Sequence, residues 1–145
     1  MFMTAQAHGS RRPSAASYRE VNASTAIEGA SPHKLVSLLF LSISSEIAAA
    51  RGAISRGDVA EKGRAIAHAV RIIEEGMLAP LDIKAGGQLA QNLSSLYEYL
   101  VQRLTLANLE TSDALLAECA KLVDVLREGW DGIAHQVSTP VQAAA

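Results

Sequence analysis

The stretch that decides the fold is GGQLAQNLSSLYEYL, residues 86–100, in which two glycines precede leucines and uncharged polar residues. Its tyrosines, Tyr97 and Tyr99, are two positions apart, so in an α-helix they point about 200° away from each other. One tyrosine can face a core, and the other then faces outward. The leucine spacing continues past the stretch and predicts one amphipathic helix over residues 87–109, with a stripe made of Leu89, Leu93, Leu96, Leu100, Leu104 and Ala107.

Three further segments carry the same helical period. Ser31 before Pro32 is typical of a helix start and predicts a helix over 32–56. Asp58 with Glu61 is similar to a capping box and predicts a second helix over 58–82. A turn at 110–113, with an N-cap at Thr111 or Ser112, precedes a fourth helix over 112–136. The apolar stripes of these helices comprise Val36, Leu39, Ile43, Ile47, Ala50 and Ile54; Val59, Ile66, Val70, Ile73 and Met77; and Leu115, Cys119, Leu122, Leu126, Trp130 and Ile133.

Short connections between four long helices force antiparallel neighbours, so the predicted fold is an all-α, up-down four-helix bundle. We expect one domain over residues 17–136, a disordered leader over 1–16 and a flexible tail over 137–145. The segment 17–27 is too short to be a stable helix alone. We expect it to form a helical or extended lid whose apolar residues are Tyr18, Val21 and Ile27.

Composition restricts the possible classes of function. A net charge of −2 and a pI near 6.1 give no basic field for nucleic acid. The single cysteine, Cys119, excludes an internal disulfide and fits a reducing cytoplasm. No uninterrupted apolar run approaches the ~18–20 residues that span a bilayer, so we expect no membrane insertion. The chain is therefore predicted to be cytoplasmic.

The sequence holds no pattern typical of an active site. His8, His33, His68 and His135 are too widely spaced for a local zinc site, and none follows a Glu at the spacing of a di-iron bundle. Gly86 and Gly87 lack the Lys-Ser/Thr of a phosphate loop. We expect no enzyme activity, no catalytic or metal-binding residue and no cofactor. A less favoured alternative is a histidine-phosphotransfer domain that uses His68.

The third helix is unusually poor in charge, which indicates an interface. Between Ala85 and Leu109 the only charged residues are Glu98 and Arg103, and interface cores are depleted in charge and enriched in aromatics. Tyr99 and Leu106 align on the side opposite the leucine stripe. The first helix has Leu35, Leu38 and Leu41 off its own stripe, so it is apolar nearly all round. We expect a groove for an amphipathic partner helix, with the lid removable; the alternative is a homodimeric interaction module or a permanent cover.

Four segments in one order resemble the FliS family of flagellin export chaperones. They are SYREVNAST at 17–25, ASPHKLVSLLF at 30–40, GGQLAQNLSSLYEYLVQRLTLANLE at 86–110 and LREGW at 126–130. The resemblance runs from about Tyr18 to Trp130. The sequence departs from the family at Phe40, Leu41 and Ser42, where members usually have Tyr, an acidic residue and Gly.

The resemblance implies a chaperone that binds the disordered, amphipathic C-terminal segment of flagellin, prevents premature polymerisation and delivers it to the flagellar type III export apparatus. It implies an N-terminal lid that the client moves and client contacts in or near the third helix. Together with the charge-poor face, the expected groove residues are Leu35, Leu38, Leu41, Asn92, Leu93, Leu96, Tyr97, Tyr99 and Leu106. We expect a monomer or weak dimer; whether an export-gate component or an anti-sigma factor also binds is left open.

Overall fold

A computed structural model describes residues 31–138 of the chain, with side chains described from 31 to 133. Within that range there are four long helices and no strand, which confirms the all-α four-helix bundle. The predicted leader at 1–16, the lid at 17–27 and residues 139–145 of the predicted tail lie outside the described residues. The first two residues of that tail, Val137 and Ser138, belong to the last helix instead. The chain divides into two compact units after Leu35, so the packing below is that of the unit from Val36 onward.

The first helix, α1, spans Pro32–Arg56. Ser31 is its N-cap, because the Ser31 hydroxyl accepts a hydrogen bond of 3.1 Å from the backbone N–H of Lys34. By length and composition α1 could span a membrane, with a mean hydropathy of 1.4 over its most apolar window, of which 22% is buried. The core helix of a soluble protein meets the same criterion.

The second helix, α2, spans Val59–Arg71 and continues as a π-helix over Ile72–Leu78. The Asp58 carboxylate accepts a hydrogen bond of 3.1 Å from the Glu61 backbone N–H, which is the predicted cap. The predicted end at residue 82 is wrong: the helix ends at Leu78, because Pro80 has no backbone N–H with which to continue the hydrogen-bond series. The π-helix has no counterpart in the predicted pattern.

The third helix, α3, spans Ile83–Glu110, four residues longer at its start than predicted. The earlier start has a local cause: the Asp82 carboxylate accepts a hydrogen bond of 3.0 Å from the Ala85 N–H and caps a first turn. A kink at Gly87, where the predicted helix begins, separates this first turn from the rest of α3; the φ of 58° and ψ of −138° of Gly87 are accessible mainly to glycine.

The fourth helix, α4, spans Asp113–Ser138. Of the two predicted N-caps the structure uses Ser112, whose hydroxyl accepts a hydrogen bond of 3.1 Å from the Leu115 N–H. Thr111 instead ends α3 in the left-handed region, at φ 51°. The two residues thus divide the turn between a helix end and a helix start.

The core contains residues of every helix and follows most of the predicted stripes. Its fully buried large side chains are Ile43, Ile47, Ile66, Ile73, Leu100, Leu104, Leu116, Val123 and Cys119. Burial raises the pKa of the Cys119 thiol to about 11, which keeps it protonated and fits the predicted core thiol. Three predicted stripe residues are largely exposed instead: Val59 (71%), Leu89 (63%) and Ile133 (43%). They lie towards the ends of their helices, where the apolar face has less of the bundle opposite it.

Lys62 is the buried charged residue of the described core, at 6% exposure. Its Nζ donates hydrogen bonds to the carbonyl oxygen of Asn108 (3.0 Å) and the hydroxyl of Thr111 (2.8 Å). A cation at a helix C-terminus is stabilised by the helix dipole, and here it also satisfies a terminal carbonyl. Lys62 therefore ties α2 to the last turn of α3.

Candidate functional site

An apolar groove runs between α3 and α4, formed by two adjoining cavities that share Val125. The first cavity has a volume of about 210 Å³ and is lined by Phe40, Leu89, Leu93, Tyr97, Val125, Leu126, Gly129, Trp130 and Ile133. The second has a volume of about 520 Å³ and is lined by Leu96, Tyr99, Glu118, Lys121, Leu122 and Val125. We call the two together the α3–α4 groove.

Large apolar side chains remain exposed along this groove. Leu89 and Val125 are each 63% exposed, Ile133 is 43% exposed and Tyr99 is 40% exposed. Gly129 has nothing within 4 Å of where its Cβ would be, so the backbone of α4 is open to close approach there. Contiguous exposed apolar surface of this kind marks an interaction site. The shape and lining suit the apolar face of an amphipathic helix.

A polar cluster of Tyr99, Arg103 and Glu118 lies at one end of the groove. The Tyr99 hydroxyl donates to Glu118 Oε2 at 2.7 Å, and Arg103 Nε donates to Glu118 Oε1 at 3.0 Å. The Arg103 guanidinium lies 5.7 Å from the centroid of the Tyr99 ring. The hydrogen bonds from Tyr99 and Arg103 lower the pKa of the Glu118 carboxyl. An ionised Glu118 therefore bridges α3 and α4.

The predicted site residues are only partly brought together. Leu93 and Tyr97 line the first cavity, and Leu96 and Tyr99 line the second. Tyr97 is 6% exposed and Tyr99 is 40% exposed, so the two tyrosines face the core and outward, as their spacing predicts.

The other five predicted residues do not line the groove. Asn92 is exposed and accepts a hydrogen bond of 2.9 Å from the side chain of Gln88, and Leu106 is partly buried farther along α3. Leu35 and Leu38 are partly buried on α1, where Leu41 is 45% exposed.

Sequence reasoning missed the contribution of α4 to the site. Leu126 and Trp130 pack against the core, as their stripe predicts, but they also line the groove together with Ile133, Val125 and Gly129. Phe40 is the α1 residue at the groove, next to the predicted Leu41. The available signal was Val125, an apolar residue beside the predicted stripe of the fourth helix.

A third depression, of about 670 Å³, lies between α1 and α4 and shares no lining residue with the groove. Small residues on α1 leave it open, and the ion pair between Arg51 and Asp113, at 2.8 Å, lies at its edge. The Ser44 hydroxyl oxygen within it is buried and lacks a hydrogen-bond partner among the described residues. Although larger than either cavity of the α3–α4 groove, this depression lacks the exposed aromatic and leucine side chains of the groove.

His68 lies on α2, in an exposed cluster with Glu46 and Arg64 that shares no residue with the groove. Its Nδ1 contacts the Glu46 carboxylate, which also accepts a hydrogen bond of 2.9 Å from Arg64. The His68 side chain is about half exposed. Among residues 31–133, no three His, Cys, Asp or Glu side chains are grouped so that they could hold a metal ion.

Comparison with known proteins identifies the family. The family described as Flagellar protein FliS matches residues 14–137. A Salmonella typhimurium protein named Flagellar secretion chaperone FliS is 38% identical over 121 residues, 83% of this chain and 90% of that protein. Flagellar secretion chaperone FliSB of Pseudomonas aeruginosa is 41% identical over 118 residues, 81% and 93% of the two chains. The Escherichia coli FliS is 31% identical over 113 residues, 78% and 83% of the two chains. The chain belongs to the FliS family of flagellar proteins.

Proposed function

We propose that this chain is a cytoplasmic, non-enzymatic export chaperone that binds the C-terminal segment of flagellin in the α3–α4 groove. Its relatives are named flagellar secretion chaperones. In this proposal the bound segment cannot take part in filament assembly until the export apparatus receives it. The observation that carries the placement is the line of exposed apolar side chains in the groove, from Leu89 and Ile133 to Tyr99.

The apolar character of the groove fits a client that is disordered before it binds. A segment that folds on binding loses several kcal/mol to ordering, on the order of 2–5 kcal/mol, so it needs a long apolar contact. The groove supplies such contact from Leu93, Leu96 and Leu122, which are only partly covered by the bundle itself. The lid predicted at 17–27 would compete for client-binding surface and lower the apparent affinity by the fraction of time that surface is open. Release then occurs by hand-over, without nucleotide hydrolysis.

Two exposed valines on different helices provide a matched test. Val125 lines the groove and is 63% exposed, whereas Val59 begins α2 and is 71% exposed. Because both side chains are exposed, we expect Val125→Glu and Val59→Glu to change the unfolding free energy by no more than ~0.5 kcal/mol. A buried carboxylate without a partner is costly in a protein interface. We therefore expect Val125→Glu to weaken binding of a flagellin C-terminal peptide at least tenfold in calorimetry, and Val59→Glu to change it less than twofold.

The same experiment separates the alternatives. If wild-type protein does not bind the peptide at all, and size exclusion gives a dimer at every concentration, the homodimeric interaction module is the better account. If the peptide binds and both valine variants bind equally well, the chaperone function stands but the groove is the wrong surface. Labelling by a phosphodonor that His68→Gln abolishes would instead support phosphotransfer.

A further inference from the structure

We infer that Glu118 is a positioning residue: its bridge to Tyr99 and Arg103 closes one end of the α3–α4 groove and holds the Tyr99 ring as the end wall. The groove then accepts a single amphipathic helix of about three to four turns. The inference rests on the proposed function, since the occupant is the client segment. It adds where the bound helix stops and which residue sets that stop.

The bridge joins the two helices that form the groove. Glu118 belongs to α4, and its two carboxylate oxygens accept one hydrogen bond each from Tyr99 and Arg103 of α3, at 2.7 Å and 3.0 Å. Tyr99 and Arg103 are one turn apart, so both reach the same carboxylate. A tyrosine that is 40% exposed is otherwise free to change rotamer. The carboxylate therefore fixes the direction of the ring.

Both cavities end at this bridge. On one side of it lies the apolar lining, with Leu89 and Val125 each 63% exposed. On α3 the lining of the two cavities ends at Tyr99, and on α4 it begins at Glu118. The bridge thus coincides with the end of the α3–α4 groove.

The dimensions of the open part limit the occupant. From Leu89 to Tyr99, α3 advances about 15 Å, and from Glu118 to Ile133, α4 advances about 22 Å, at ~1.5 Å per residue. An α-helix of ~10–15 residues has that length. The floor is apolar, so the occupant presents one apolar stripe to the groove and a polar face to water. The client is therefore held as one short helix in this groove.

Two leucines on either side of the bridge test where the groove ends. Leu96 lines the second cavity, whereas Leu106 lies beyond the bridge, and both are partly buried on α3. With folded, stability-matched protein, Leu96→Ala is expected to weaken binding of the flagellin C-terminal peptide ~5–20-fold, and Leu106→Ala less than twofold. Equal losses for the two variants would overturn the proposed end of the groove.

The positioning role of Glu118 is tested by a double-mutant cycle with Tyr99. Glu118→Ala is expected to weaken binding of the peptide ~3–10-fold. Glu118→Gln is expected to weaken it less, because the amide oxygen of Gln still accepts a hydrogen bond from the Tyr99 hydroxyl. In a Tyr99→Ala background the Glu118→Ala change is expected to have less than half of that effect. Glu98→Gln, at an exposed carboxylate beside Tyr99, serves as the control and should change affinity less than twofold.

Each outcome separates this inference from the function on which it depends. An effect of Glu118→Ala that is the same with and without Tyr99, or no effect at all, overturns the positioning role. If Val125→Glu still weakens binding at least tenfold in that case, the chaperone groove stands and only the bridge is wrong. If neither Val125→Glu nor Glu118→Ala changes binding, the placement of the groove fails together with this inference.

Discussion

The two halves of α3 share one sequence pattern but have different surroundings. Leu89 and Leu104 belong to the same predicted stripe, yet Leu89 is 63% exposed and Leu104 is 0% exposed. The C-terminal half packs against the bundle and is fixed by Lys62 from α2. The N-terminal half faces α4 across an open groove. An apolar stripe therefore does two things in one helix: half of it stabilises the fold, and half is available to a partner.

The largest expected difference between the halves is in stability. Leu104→Ala leaves a cavity in the core and is expected to lower the free energy of unfolding by about 2–5 kcal/mol. Leu89→Ala removes a side chain that is mostly in water and is expected to change it by no more than ~0.5 kcal/mol. Urea unfolding followed by far-UV circular dichroism measures both. Comparable losses for the two variants would show that Leu89 is buried in solution.

Lys62 tests the fixed half of α3 from the neighbouring helix. Lys62→Met keeps the length of the side chain but removes the donor to Asn108 and Thr111, so a terminal carbonyl loses its partner. The expected loss of unfolding free energy is about 1–3 kcal/mol. Lys121→Met, at an exposed lysine of α4, is the control, with an expected change within ~0.5 kcal/mol. If Lys62→Met left the free energy of unfolding unchanged, water would satisfy the last carbonyl groups of α3 equally well.

A smaller effect is expected from pH, at the cluster of Glu46, Arg64 and His68, which shares no residue with the groove. Burial alone would raise the pKa of Glu46, but hydrogen bonds from Arg64 and His68 outweigh it and lower the pKa below 4.5. A lowered folded-state pKa stabilises the protein above the unfolded-state pKa, and that stability is lost as pH falls through the folded-state pKa.

The corresponding measurement compares wild type with Glu46→Gln. We expect the wild-type advantage in melting temperature to be full at pH 6 and to shrink below about pH 4.3. The Val125→Glu and Val59→Glu variants, which leave Glu46 in place, should keep the wild-type acid dependence. A wild-type advantage in melting temperature that grew on acidification would contradict the lowered pKa of Glu46.

The fold followed from the sequence where its causes are local. Ser31 and Asp58 cap the helices that follow them, and each hydrogen bond involves a residue three positions away. The π-helix at Ile72–Leu78 and the buried Lys62 were not predicted. Lys62 depends on Asn108 and Thr111, which are distant in sequence and become neighbours only when α2 packs against the end of α3.

The site was predictable on α3 and not on α4. Helical geometry places Tyr97 and Tyr99 on different sides, and the structure does the same. Helical geometry does not indicate that Leu126 and Ile133 line an open groove. Periodicity identifies the apolar face of a helix without indicating which neighbour covers that face. The gap between α3 and α4 is a property of the assembled bundle.

The most direct test of the proposed client site is photo-crosslinking at the two exposed valines. A benzoylphenylalanine replaces Val125 in the groove or Val59 on α2, and each protein is irradiated with the C-terminal segment of flagellin at the same saturation. We expect a crosslinked product from position 125 and none above background from position 59. Crosslinking from position 59 alone, or equally from both, would contradict the claim that the α3–α4 groove holds the client.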